Sequence, residues 1–384
     1  MKHLNTEVAR VLIGGDTCPT GANEGLFESG SASDILGDVA PVVEQSDLFV
    51  LNLECPLTAC TEQSAKIGPS LKATPASAAG LAVMGVDVAG IANNHMMDFG
   101  DVGLTETLAS LNKNGVSSVG AGETLAEAWR IEERVIKEIR IGIIAIAEHE
   151  FGIASTKAPG VCPFDQVDFH NVMRAERHRF DHVVVLLHGG NEHHPYPRPG
   201  LVKSARYLAS LGASAVICQH THIVGCYEWY EGTPIIYGQG NFIFDYPTSR
   251  RTWSEGVLIS LSFTKTECAA IEFIPTTQAC QDGAVSLLKG NDRARILDGL
   301  EARSKVLADP DQIERQWAIY CETVKRYYLN SLHGRAGIIR RIVGRLGYLQ
   351  LLEPRKKNLA RLNLVRCESH REVLMSVLTD IQKN

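Results

Sequence analysis

Two histidines one residue apart, His220 and His222, follow the short apolar run of residues 215–218. Neutral imidazole is the commonest metal ligand, and two of them on an extended turn can reach two sides of one site. Taken alone, such a pair is more often a solvated polar loop. Four further residues give it weight: Asp16, Glu54, Asn94 and His188 each stand at or just beyond the end of an apolar, β-branched run. A mixture of carboxylate, amide and imidazole suits one or two divalent ions such as Mn, Fe, Zn or Mg, and not a thiolate-rich site. A carboxylate can bridge two ions roughly 3.5–4 Å apart, an arrangement that supports in-line chemistry at a phosphoryl group.

Convergence requires that the preceding runs be strands of one architecture. Residues 8–14, 47–52, 86–92, 139–147, 182–187 and 215–218 read as buried strands. Residues 74–85, 103–114 and 201–211 have helical spacing, with Gly115 as a stop signal for the second of these. This strand-then-helix order predicts an α/β protein, in which polar residues at the carboxyl ends of strands meet in one crevice. The triplet Glu148-His149-Glu150 leaves the strand 139–147 and is expected at the same crevice, with His149 as a proton acceptor. Residues 235–244, 256–264 and 269–275 read as a strand meander completing a second sheet. From about residue 282 the chain reads as helices, including 294–307 and 310–329. The expected division is therefore a domain over 8–277 and a helical region over 282–384.

Six short stretches carry a resemblance. They are Gly15-Asp16, the run from Asn52 to Thr58 (NLECPLT), the run from Ala92 to Gly100 (ANNHMMDFG), the run from His188 to Glu192 (HGGNE), His220-Thr221-His222, and the run from Tyr237 to Phe242 (YGQGNF). In this order, over about two-thirds of the chain, they resemble the motifs of the CapA family of bacterial capsule-synthesis proteins. That family is itself similar to calcineurin-like metallophosphoesterases. The resemblance implies a two-sheet αββα sandwich of metallophosphoesterase type, here with a helical C-terminal extension. It also implies that Asp16 and His222 hold one ion and that Asn94, His188 and His220 hold another, with Glu54 bridging them. His95 would lie beside the ions as a general acid or base. Glu192, His193 and Asn241 would touch substrate. Where phosphoesterases carry a second histidine this chain has Cys18, which implies a weakly held first ion. Where relatives carry a bulky aromatic it has Gly189, which implies a more open pocket.

The implied activity is hydrolysis or transfer at a phosphoryl or acyl centre during synthesis of a capsule or of an anionic polymer resembling poly-gamma-glutamate. The substrate would be an anionic polymer, a peptide or a phosphorylated compound. Two other functions fit the same residues: a metal-dependent peptide epimerase using His95 and His149 as paired bases, and a non-catalytic assembly factor. A net charge of -6 argues against non-specific nucleic-acid binding. No apolar run approaches the length of a membrane span and no apolar segment precedes the first strand, so a cytoplasmic protein is expected. Its ten scattered cysteines are then expected to be reduced thiols. Residues 334–366 carry nine Lys or Arg against one acid, Glu353, interleaved with apolar residues. A helix of this kind would dock on the protein or rest on an anionic membrane surface.

Overall fold

A computed structural model describes residues 8–29, 32–278, 285–333 and 355–383. The strand Ala9–Cys18 is apolar and buried almost throughout, as a strand flanked on both edges and covered on both faces must be. It pairs in parallel with Leu48–Leu53 and antiparallel with Glu255–Phe263. In spatial order the first sheet runs Val285–Leu287, Cys268–Gln278, Glu255–Phe263, Ala9–Cys18, Leu48–Leu53, Val88–Gly90, Ser117–Val119. The second sheet runs Tyr227–Tyr230, Thr233–Tyr237, Ala215–Gln219, His182–His188, Ile139–Ala147, Glu132–Ile136.

The two sheets pack face to face around a single core. At Gly90 of the first sheet an added Cβ would stand 2.8 Å from Leu186 and 3.7 Å from Ala145 of the second. Helices cover the outer faces. One example is Pro199–Ser210, which buries Leu201, Val202, Ala205, Leu208 and Ala209 at helical spacing and packs on Ala215–Gln219 and Thr233–Tyr237. The architecture is the expected α/β two-sheet sandwich.

Register then brings the strand ends together. Asp16 lies opposite both Asn52 and Asn241, and in the second sheet Ala147, His188 and Gln219 are aligned. Every segment that leaves these strands at the carboxyl end therefore emerges at one edge of the sandwich.

Three expectations change, the first being that the strands at 256–264 and 269–275 extend the sheet of Ala9–Cys18 and do not complete a second one. Residues 235–244 form two strands, Thr233–Tyr237 in the second sheet and Asn241–Phe244 beside Ala9–Cys18 in the first. Gly238 (φ 138°) and Gly240 (φ 76°) occupy the left-handed region and carry the chain from one sheet to the other. The helical region also begins later than expected. Val285–Leu287 still pairs with the first sheet, and Ile296, Leu300 and Leu307 of the helix Gly290–Leu307 belong to the main core. A second, smaller core of Trp317, Cys321, Tyr328, Leu364, Val373, Leu374 and Val377 ties together the helices Pro310–His333, Arg355–Arg366 and Glu368–Lys383. Of the basic amphipathic segment, residues 334–354 lie outside the described residues, while Arg355–Arg366 is a helix docked on the protein. Among the described residues no helix is long and apolar enough to cross a membrane.

Candidate metal centre

The strand Leu48–Leu53 hands the chain to Glu54, whose side chain is 0% exposed. Neither of its carboxylate oxygens has a hydrogen-bond partner. Its Oε1 lies 3.6 Å from His188 Nε2 and 3.8 Å from His222 Nε2. Burial, with Asp16 close by, pushes the Glu54 carboxyl well above the usual carboxylate range. A buried carboxylate without a donor is costly, and a cation among its neighbours removes that cost.

The other groups surround it. Asp16 accepts hydrogen bonds from Asn52 Nδ2 (2.8 Å) and from the His220 amide (3.0 Å). His222 places Nδ1 2.9 Å from Asn241 Oδ1 and 3.4 Å from Asp16 Oδ2. His188 Nε2 is 3.1 Å from Asn94 Oδ1, and the His188 and His220 rings have centroids 4.7 Å apart. Burial, reinforced by His220 and His222, holds His188 well below the ordinary histidine value, so the ring stays neutral as a metal ligand must. His220 Nδ1 is buried without a partner.

Donor atoms of Glu54, His220 and His222 lie within 4.8 Å of one another, and so do those of Asp16, Glu54 and His188. Glu54 belongs to both groups, but the histidines divide otherwise than the resemblance implies, His220 standing with His222 and His188 with Asp16. The donor set and its orphaned atoms fit divalent ions. The backbone agrees: His193, His220 and His222 have φ of 60°, 91° and 58°, left-handed values that non-glycine residues rarely adopt. Such strain gathers at functional sites.

His95 stands one residue beyond Asn94. Its Nδ1 is 2.7 Å from Asp98 Oδ2, and Lys66 reaches the same nitrogen at 3.1 Å while pairing with Asp98. Burial holds the His95 ring below its ordinary value, although the Asp98 hydrogen bond acts the other way. His193 faces the centre more loosely, with its ring 6.2 Å from His222, and burial lowers it to about 4. Glu192 is exposed beside them, and the imidazoles of His220 and His222 outweigh desolvation in holding its carboxyl low. Asn241 orients His222 and donates Nδ2 to the Trp253 carbonyl (2.9 Å).

His149 is not brought into this cluster. Its Nδ1 pairs with Glu368 Oε1 (2.7 Å) on the C-terminal helix, and it lines a different cavity with Phe164, Arg198 and Met375. The exit is a tight bend in which the Glu150 amide donates to the Glu148 carbonyl (2.7 Å), and Glu148 and Glu150 face another cavity than His149 does. Both line a cavity of about 10 Å³ with Asn94, His188, Gly189, His220 and Cys367. The place of the triplet at the exit of the strand Ile139–Ala147 was the available signal for Glu150. Lys66 lies in an irregular loop and had none.

The space left by Gly189 is not open. A Cβ there would meet Glu148 Cγ at 2.6 Å, because the Glu148 side chain lies across it. Cys18, expected to weaken the first ion, is a buried free thiol, like most of the described cysteines.

Fold and centre together define a class: a two-sheet α/β sandwich with a carboxylate–imidazole centre at its strand ends. The model of a family described as "Bacterial capsule synthesis protein PGA_cap" matches residues 10–246, and the chain belongs to that family. It is 29% identical over 279 residues to the PGA biosynthesis protein CapA of Bacillus subtilis, covering 72% of this chain and 73% of that one. It is 30% identical over 225 residues to a probable polyglutamine synthesis accessory protein of Mycobacterium tuberculosis, covering 55% and 59%. Among solved structures, a 5'-nucleotidase of Candida albicans aligns over 73% of this chain and 54% of its own, at 10% identity and a TM-score of 0.42.

Proposed function

We propose that the chain is a metal-dependent hydrolase or transferase acting at a phosphoryl or acyl centre in the synthesis of a capsule or of a poly-gamma-glutamate-like polymer. The observation that carries the metal reading is Glu54, fully buried with both carboxylate oxygens unpartnered among three imidazoles. The polymer reading rests on family membership and on what the names of the relatives say of them. Bound divalent ions would polarise the electrophile and lower the pKa of water. In this reading Asp16, Glu54, Asn94, His188, His220 and His222 hold them.

The remaining work falls to this chain's own groups. Asp98, itself paired with Lys66, accepts from His95 Nδ1 and fixes the ring, which leaves Nε2 to take or give a proton. Glu192 and His193 border the approach to the centre, whereas Asn241, expected to touch substrate, is buried and engaged by His222 and the Trp253 carbonyl. A two-base epimerase draws no support from His149, whose ring is engaged by Glu368. We place the protein in the cytoplasm, where buried thiols such as Cys18 and Cys55 stay reduced.

The test is elemental analysis together with hydrolysis of bis-p-nitrophenyl phosphate by wild type, His220→Ala and His95→Ala. The expected outcome is lost metal in the first variant, and retained metal with turnover reduced at least about 100-fold in the second. Equal metal loss in both variants refutes the role of His95. Full metal with no hydrolysis by wild type favours a non-catalytic assembly factor.

A further inference from the structure

The C-terminal helices reach the centre through one short segment. Arg366 donates to the Glu150 carbonyl, and its guanidinium lies 5.6 Å from the centre of the Phe151 ring. Asn363 Nδ2 donates to Glu150 Oε1 at 3.4 Å, and His370 Nε2 is 3.7 Å from the same oxygen. His370 is steadied in turn by Tyr328, whose hydroxyl is 2.7 Å from its Nδ1. Glu148 pairs with Arg198, which also pairs with Glu372, and accepts from the Ser369 amide at 3.3 Å. Gly189 permits this, since a larger residue there would occupy the path of the Glu148 side chain.

The grip ends at the metal centre. Glu150, with a side chain 13% exposed, lines the small cavity that also holds Asn94, His188 and the unpartnered Nδ1 edge of His220. The volume, about 10 Å³, suits one water or one ion. A carboxylate lining such a space can orient a ligand on a metal.

We infer that Glu150 is a positioning residue of the metal centre, acting on the ion-bound water or substrate oxygen on the Asn94–His188–His220 side, and that the C-terminal helices set it there. The inference rests on the metal reading above. It makes the helical region part of the site.

The experiment is calorimetric titration of the full chain with Mn²⁺. Wild type should take up two equivalents. Glu150→Gln, nearly isosteric, should weaken one of them about 10–100-fold and leave the other unchanged. Glu150→Asp should recover part of the loss. Arg366→Ala keeps the carboxylate but frees the backbone that carries it, and should weaken the same equivalent by a smaller factor with an unchanged far-ultraviolet circular dichroism spectrum. If wild type binds two equivalents and Glu150→Gln binds both as tightly, the inference fails and the metal reading stands. Weakening of both equivalents alike assigns Glu150 a general structural role and also overturns it. No uptake by wild type overturns both.

Discussion

The strand-end centre and the clasp beside it, the contacts of Glu148 and His149 with Arg198, Glu368 and Glu372, are built from the same residue types, yet their carboxylates are treated in opposite ways. In the clasp the carboxylates meet cationic groups: Glu148 and Glu372 share Arg198, and Glu368 takes His149. In the centre Glu54 meets no donor, His220 Nδ1 is unpartnered, and two histidines sit in left-handed backbone. Paired buried charges rigidify, even with the Arg198 Nε left over, whereas a buried carboxylate with no partner at all is tolerated where a ligand completes it. On the metal reading proposed above, the difference separates a structural from a functional use of buried charge, and Glu150 stands on the border between them.

The largest effect is expected in the clasp. Arg198→Met leaves Glu148 buried beside a neutral side chain, and should cost about 3–5 kcal/mol in urea unfolding, as removal of one partner of a buried pair does. A loss below about 1 kcal/mol would mean that the clasp contributes little to stability.

Next comes the centre. With Mn²⁺ at a hundredfold excess over its Kd, wild type should gain about 2.7 kcal/mol for each site filled, visible as a higher Tm. Glu54→Gln should show none of this gain, yet without metal should be at least as stable as wild type, because a buried unpaired carboxylate has been removed. A metal-free variant markedly less stable than wild type would place Glu54 with the paired carboxylates of the clasp.

The smallest effect concerns pH. His194 stacks on Tyr320 of the helix Pro310–His333 with ring centroids 4.2 Å apart, and burial lowers it to about 4. A depressed histidine contributes stability that is whole above its unfolded value, near 6.5, and is lost as pH falls towards 4. Trp317, stacked on Tyr320 at 5.6 Å, should therefore report loosening of the helix between pH 6.5 and 4. His194→Phe, which keeps the stack, should remove that part of the fluorescence change. An unchanged profile would show that the helix is held elsewhere.

Much of the centre was legible because its residues lie where short apolar runs stop. Asp16, Glu54, Asn94, His188, His220 and His222 are each marked by the run before them, and periodicity is a local property that sequence displays directly. The same logic placed the main strands to within a few residues, since a strand buried on both faces must be apolar throughout. It erred where the local pattern was continuous but the pairing was not. Residues 235–244 read as one strand, and only the left-handed glycines at 238 and 240 assign its halves to different sheets.

What the sequence alone determined was the set of groups able to hold a divalent ion and the strands that deliver them. What tertiary structure decided was which groups are left without partners. His149 was set aside and Glu150 brought in by contacts with Glu368, Arg366 and His370, more than 200 residues away in the chain. Gly189 promised an open pocket and is covered by Glu148 for the same reason. Whether a buried carboxylate finds a cation depends on which distant segment packs beside it, and no local spacing encodes that.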